Sequence, residues 1–505
     1  MYDSIPTLPN CYDRIWGVAR SHPEQVAIVD VTGEVTYRRL VELADDRAEC
    51  LARAGTTAGS RIALVAESSA LYIATALAIW KLNAVLVTVY PSSSDVDVLK
   101  ALAISEPALT IVSRAEHRAL IAESDRAQPV ADIEEFELAR LRTDVAANPD
   151  GLREPLSLIC FSSGTTSEPK AVMLSATTVD NTAETYAEVW RLSPDERALI
   201  GLPMAWLYGL ASTTLAVLYR GGTVIIAQRA KPEVLVDLAR KHEVTFIAGV
   251  TVTFAKLIRH EPQSDVRGAF SQLRLTISGG EAPNGAVFAE WRDLTGSAVL
   301  DAYCASECLP LVTYDPHIDP VPIPGSAGRV VPRQRLRVVD PDGNDVAQGE
   351  VGEALASGPG LMLGYWKNPD LTAEVLTPDG WYRMKDLVRI DKNGYVYVVG
   401  RLSDVIIRGG TNISPAEVEA VLNAHPMVAQ AAVVGLPDDI YGQRVVAVVT
   451  PTEDVVDIDN VRRYAASKLS AYKLPSEIVV VPDMPINVTT SKINRKALVE
   501  QLTGR

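Results

Sequence analysis

The sequence predicts an α/β protein with helices covering sheets, closed by a smaller unit of α+β character. Two observations carry this: short aliphatic and β-branched runs alternate with segments of helical spacing, and the pattern changes after Arg401. No internal repeat and no low-complexity tract competes with that reading. At 505 residues and 47% apolar content the chain can bury substantial cores, and its length suggests about three domain-sized units.

The elements follow in chain order. Residues 25–37 read as a hairpin turning at Thr32-Gly33, and residues 38–54 carry Leu40, Leu43, Ala44, Arg47, Ala48 and Leu51 at helical spacing. A strand at residues 61–65 precedes the longest apolar run, residues 70–80, which is shorter than the ~20 residues that span a bilayer. With Ala74, Ala76 and Ala78 it suits a buried helix. Strands follow at residues 84–89, 109–112 and 156–161. Past residues 395–399 come Gly400-Arg401-Leu402-Ser403-Asp404, a strand at 405–407, a Gly409-Gly410 turn, and a helix from Pro415 capped by Ser414. Strands at 431–434, 445–449 and 477–481 and a helix through 461–469 complete the smaller unit.

A formal charge of −15 and a pI near 5.0 oppose non-specific polyanion binding, so no nucleic-acid partner is expected. The five cysteines, Cys11, Cys50, Cys160, Cys304 and Cys308, form no C-x-x-C pair, which suits a reducing cytoplasm. No basic segment leads into an apolar region at the N-terminus, so a secretory signal is not expected, nor is a membrane span. The histidines are scattered, and G-x-S-x-G is absent, which argues against a hydrolase.

The strand at 156–161 runs into Ser162-Ser163-Gly164-Thr165-Thr166, with Lys170 close behind. Small hydroxyl residues around a flexible glycine can wrap N–H and O–H groups around phosphate oxygens, with Lys170 adding charge. A solvated Ser/Thr-rich turn has the same composition. No Gly-Lys-Ser/Thr follows, so this is not a Walker loop.

An ordered series of further segments gives the loop its meaning. Ser278-Gly279-Gly280-Glu281-Ala282-Pro283, Tyr303-Cys304-Ala305-Ser306-Glu307, residues 349–353, Gly364-Tyr365, residues 381–386, Gly394-Tyr395, Gly400-Arg401, Gly409-Gly410, residues 415–419 and residues 491–495 follow in turn. Together with the loop this series resembles the AMP-forming adenylating superfamily of acyl-CoA synthetases, peptide-synthetase adenylation domains and luciferases. It covers nearly the whole chain and stands closest to the acyl-CoA and aryl-CoA ligases.

The resemblance implies a large N-terminal domain of packed sheets and helices over 1–400, a hinge at 401–404 centred on Ser403, and a mobile α+β domain over 405–505. It implies ATP and AMP, Mg2+ and coenzyme A as cofactors, and a small carboxylic acid as substrate. Ser162, Ser163, Gly164, Thr165, Thr166 and Lys170 are implied phosphate ligands, Gly280, Glu281 and Ala282 line the adenine, and Cys304 and Ser306 are further implied nucleotide-binding residues. The Tyr303 ring offers a flat face to the purine, Glu307 a hard oxygen to Mg2+, Asp386 two acceptors to the ribose, and Arg401 a second contact. By residue type alone Tyr303 equally suits core packing and Glu307 a solvated surface.

Thr165, Glu307 and Lys492 are the implied catalytic residues. Lys492 by itself reads as a surface charge on a loop; in the family's pattern its ammonium offsets charge that develops as the carboxylate attacks the α-phosphorus. A rotation about the hinge then brings Arg408, Gly409 and Gly410 to the site for thiol attack, with Lys473 and Arg408 meeting coenzyme A phosphates. Glycine pairs are also ordinary turns, and both cations also fit plain surface charges.

Amino-acid-activating relatives carry an Asp where this chain has Met204, Ala205, Trp206 and Leu207, so an apolar acyl, aryl or bulky alicyclic acid without an α-amine is expected. The pocket candidates are Trp206, Tyr208, Gly209, Gly249, Val250, Thr251, Gly279 and Cys304, any of which also suits a core. Ser167, Glu168, Ala171, Cys304, Ser306, Lys385, Ser403 and Ser491 depart from the family's usual residues, several of them replacing glycine. Two readings follow: a complete ligase, or an enzyme impaired in the ATP step that thioesterifies a preformed acyl-adenylate. The acceptor is coenzyme A or a separate carrier protein, and the chain acts as monomer or homodimer.

Overall fold

The computed structural model describes residues 11–122, 128–133, 136–140, 148–149, 151–162, 169–281, 283–452, 456–486 and 493–503. Three sheets organise them. The largest has thirteen strands, with a parallel block of Val26–Asp30, Thr223–Ile226, Arg197–Ile200, Phe246–Gly249, Leu275–Gly279 and Val299–Ala305 at its heart. Past Val299–Ala305 it continues antiparallel through Cys308–Thr313, Gly328–Val330, Tyr395–Arg401, Tyr382–Ile390 and Gly352–Ser357 to Arg335–Val339.

The second sheet has eight strands, in which Arg61–Val65, Val85–Thr88, Leu109–Val112 and Leu156–Ser162 run parallel and Lys170–Ser175 folds back on the last. Helices Tyr37–Arg53 and Ala70–Lys81 pack on one another, and Ala70–Lys81 also touches Val26–Asp30 of the thirteen-stranded sheet and Val85–Thr88 of the eight-stranded one. In the first, Leu40, Ala44, Ala48 and Leu51 share one buried face, and Thr36 caps its end by accepting from the Arg39 N–H, worth about 1 kcal/mol. The second helix is buried from Tyr72 to Trp80, as the alanine spacing predicts. No helix among the described residues is long and apolar enough to cross a membrane.

After Tyr395–Arg401 the chain makes one 3-10 turn, Leu402–Asp404, and enters the five-stranded sheet of the smaller unit. There Val428–Asp438 and Gly442–Pro451 form a long hairpin, and Pro415–Asn423 starts under a Ser414 cap. Its helix Ile458–Ala466 ends before Leu469, where apolar spacing suggested a longer run; Asp457 sets its start by accepting from the Asn460 N–H. The mixed α/β body with a smaller α+β unit is the predicted fold class.

Candidate active site

Phe246–Gly249, Leu275–Gly279 and Val299–Ala305 lie side by side, with Gly249 opposite Ser278 and Gly279 opposite Ala302. Their carboxyl ends thus stop together, the place where open α/β sheets gather ligands. The Tyr303 hydroxyl donates to Asp386 Oδ2 at 2.8 Å, and Arg401 Nε lies 3.3 Å from Asp386 Oδ1. Strand pairing creates the second contact, since Asp386 and Arg401 are register partners. Burial first, and the Asp386 carboxylate second, push the Tyr303 phenol well above its usual range, so it stays a donor.

A bulge aims Asp386. Between the pairs Glu353–Leu387 and Leu355–Arg383, one residue faces Met384, Lys385 and Asp386. Lys385 takes up the distortion at φ +58°, a left-handed conformation that favours glycine. Its ammonium pairs with Glu374 at the end of helix Pro369–Val375.

At the phosphate end Ser162 and Lys170 are partners across the hairpin. The Ser162 hydroxyl donates to Glu307 Oε1 at 3.1 Å, and the Tyr365 hydroxyl donates to the same oxygen at 2.9 Å. Lys170 Nζ sits 5.7 Å from the centre of the Tyr365 ring. Glu307 is buried at the turn between Val299–Ala305 and Cys308–Thr313, with its backbone carbonyl accepting from the Met362 N–H. No group of three potential metal-ligating side chains occurs among the described residues. One buried carboxylate fits Mg2+, which takes few protein ligands and completes its shell with phosphates and water. Ser163, Gly164, Thr165, Thr166, Ser167, Glu168, Ala282, Ser491 and Lys492 lie outside the described residues. Gly280 and the partly buried Ser306 lie in the turns after their strands, and Glu281 accepts from the Val252 N–H at 3.3 Å.

Of the acyl candidates, Gly249 and Gly279 meet at Tyr208. Its hydroxyl donates to the Gly249 and Ile277 carbonyls at 3.1 and 3.3 Å. A Cβ on Gly279 would stand 3.4 Å from that ring and 3.1 Å from the Ala302 carbonyl, so glycine keeps the space beside Tyr208 open. Gly209 continues the same helical turn and its carbonyl accepts from Thr213. Val250 and Thr251 begin the helix after Gly249, Cys304 Sγ lies 3.9 Å from the Tyr186 hydroxyl, and Trp206 tilts against Tyr90 with centroids 5.5 Å apart.

The thiol candidates lie in the smaller unit. Gly409 and Gly410, at φ +56° and +81°, turn the chain between Ile406–Arg408 and Thr411–Ile413. Arg408 donates to the Tyr472 carbonyl at 2.9 Å, and Lys473 pairs with Glu417 at 2.5 Å. Ser403 is exposed and donates to Asp404.

Two residues at the site escaped sequence reasoning. Tyr365 stood in a matched segment, yet its contact with Glu307 crosses 58 positions. Asp301 lies two residues before Tyr303; it is buried, its Oδ1 has no hydrogen-bond partner among the described residues, and burial pushes its carboxyl up to about 8. Burial thus favours its protonated form. An acidic residue inside the apolar run of a strand was the available signal.

The pattern of the AMP-binding enzyme family matches residues 15–366, and that of the AMP-binding enzyme C-terminal domain matches residues 417–491. Indoleacetate–CoA ligase of Aromatoleum aromaticum is 35% identical over 70% of this chain and 68% of its own. Feruloyl-CoA synthase of an Amycolatopsis species is 31% identical over 92% of this chain and 94% of its own. The crystal structure of ATP-bound MatB from Rhodopseudomonas palustris superposes with a TM-score of 0.87 at 26% identity, covering 97% of this chain and 98% of that one.

Proposed function

The chain belongs to the AMP-binding enzyme family, and from that premise we propose that it is an AMP-forming acid–thiol ligase acting on an aryl or other apolar carboxylic acid. It joins the acid to AMP at the expense of ATP and then passes the acyl group to coenzyme A. The observation that carries this reading is the pair of hydrogen-bonded clusters, Tyr303–Asp386–Arg401 and Ser162–Glu307–Tyr365, set around the ends of the parallel strands.

Each residue then has a role. Asp386 is acceptor-only and takes the ribose hydroxyls, while Arg401 pairs with its Oδ1. Lys170 and the hydroxyls near Ser162 bind phosphate, and Glu307 holds Mg2+, which neutralises phosphate charge when bound. Lys492, on the smaller unit, neutralises charge during carboxylate attack, and the swing of residues 405–505 about 401–404 exchanges it for the Arg408-Gly409-Gly410 loop.

The acid class is supported from two directions. Met204, Ala205 and Leu207, in the segment where amino-acid-activating relatives carry an Asp, are apolar and buried, and burial raises the Asp301 carboxyl, which supports an acid without an α-amine. The two curated relatives act, by name, on aryl-bearing acids.

The test incubates the chain with ATP, Mg2+ and coenzyme A across indoleacetate, cinnamate-type, fatty and alicyclic acids, with α-amino acids as controls. AMP release coupled to thioester formation on an aryl acid is expected. Adenylation of α-amino acids alone, or no AMP release with any acid, would overturn the reading. Including a phosphopantetheinylated carrier protein separates the two acceptors. Pyrophosphate exchange against thioester formation from synthetic acyl-adenylate separates the complete ligase from one impaired in the ATP step.

A further inference from the structure

Lys385 carries a side chain that its place in the bulge does not call for. It holds a backbone conformation that favours glycine, inside the strand Tyr382–Ile390, and it directs a half-exposed ammonium at Glu374. Glycine would make the same bulge without strain, so the bulge alone does not require a lysine there.

The pair stands at the phosphate end of the site. Glu374 lies on the helix Pro369–Val375, which Thr372 ties to Tyr365 by accepting from its N–H at 2.9 Å. Tyr365 is the residue that carries Lys170 over its ring and donates to Glu307. Glu374 accordingly faces two cations: Lys385 first, and Lys170 at longer range, hold its carboxyl below the usual carboxylate range. Lys385 directly precedes Asp386 in the strand, and its ammonium reaches Glu374.

An ammonium held by one exposed carboxylate, on the helix tied to the Tyr365 that Lys170 covers, can readily change partners. We infer that Lys385 is a second phosphate-binding cation, that Glu374 stands in for the anion until a nucleotide binds, and that the terminal phosphates of ATP displace Glu374 and take Lys385 and Lys170. A Lys ammonium on a flexible four-carbon stem can make that move with its backbone fixed. Lys385 thus becomes a specificity-determining residue that favours the triphosphate over AMP. The inference rests on the reading of this site as nucleotide-binding.

Equilibrium binding of ATP with Mg2+, and separately of AMP, to the full chain tests it without knowledge of the acid. Lys385→Gly suits the observed φ, so the variant keeps the fold, and Lys385→Met removes only the charge. Both are expected to raise the Kd for ATP about tenfold at low salt and leave that for AMP within about twofold, since AMP lacks the phosphates concerned. Glu374→Gln should tighten ATP a few-fold by removing the competing anion.

Unchanged ATP affinity in Lys385→Gly or Lys385→Met would overturn the inference. So would equal weakening of ATP and AMP, which would make Lys385 only a support for Asp386. Weaker ATP binding in Glu374→Gln would overturn the stand-in role. A wild-type chain that bound neither nucleotide would overturn the ligase reading itself, and that outcome differs from all the others.

Discussion

The two ends of the candidate machinery are built in opposite ways. In the large unit, Asp386, Glu307 and Tyr365 are buried and held by hydrogen bonds that join distant parts of the chain. In the smaller unit Arg408 rests on the Tyr472 carbonyl and Lys473 on Glu417, at or near the surface. A group that must fix a ligand gains from a preformed, desolvated setting; a group that must arrive and leave gains from solvent and exchangeable partners. The contrast therefore predicts where a lesion strikes both half-reactions and where it strikes one.

Lys492 should give the largest and most one-sided effect. Lys492→Ala is expected to lower adenylation, read as pyrophosphate exchange, by about 100-fold to 1,000-fold, comparable to loss of one transition-state donor. Thioesterification of synthetic acyl-adenylate should be nearly unchanged. Equal loss in both assays would erase the contrast, because Lys492 would then act as a fixed part of the site.

Asp386 should behave the other way. Asp386→Asn removes one charge-assisted acceptor and leaves Arg401 and Tyr303 without their carboxylate, a loss of about 10-fold to 100-fold. Both half-reactions use the nucleotide ribose, so both should fall together. A loss confined to adenylation would place Asp386 outside the ribose contact.

Buried groups also leave a mark on stability. Asp301 is pushed up to about 8 by burial, far above an ordinary carboxyl, so the folded chain holds a proton that the unfolded chain releases. Stability from this group is complete below the ordinary carboxylate range and is lost as pH rises toward about 8, with a slope on the order of 1.4 kcal/mol per pH unit. Asp301→Asn should flatten that segment of a denaturation-midpoint profile. An unchanged slope would mean that Asp301 titrates as an exposed carboxyl does.

How far these features were legible in the sequence depends on how local their causes are. The Ser414 cap, the Gly409-Gly410 turn and the buried helix at 70–81 follow from neighbouring residues, and the structure has them. Tyr303, Asp386 and Arg401 were marked one by one through the family's motif order, but strand register joins only Asp386 and Arg401, and the Tyr303–Asp386 hydrogen bond spans 83 positions between strands that are not neighbours. Lys385 was visible as a departure from glycine; its left-handed backbone and its pairing with Glu374 required the bulge in Tyr382–Ile390. Asp301 gave no motif signal, because its burial is set by the neighbouring strands.

The smallest effect is expected on the thiol side. Lys473 is held ionised chiefly by its hydrogen bond to Glu417, yet the pair is partly exposed and contributes little to stability. If Lys473 instead meets a phosphate of coenzyme A when the smaller unit turns, Lys473→Ala should raise the KM for coenzyme A about twofold to fivefold, a surface-charge effect that fades with salt. The KM values for ATP and acid should stay put. Pantetheine, which lacks the nucleotide phosphates, should not distinguish the variant from wild type, and Glu417→Gln should lower the coenzyme A KM by freeing the ammonium. A pantetheine KM that rises as much as that of coenzyme A would show Lys473 acting on the thiol arm or the turn of the unit, and the cation would then belong with the fixed groups of the large unit.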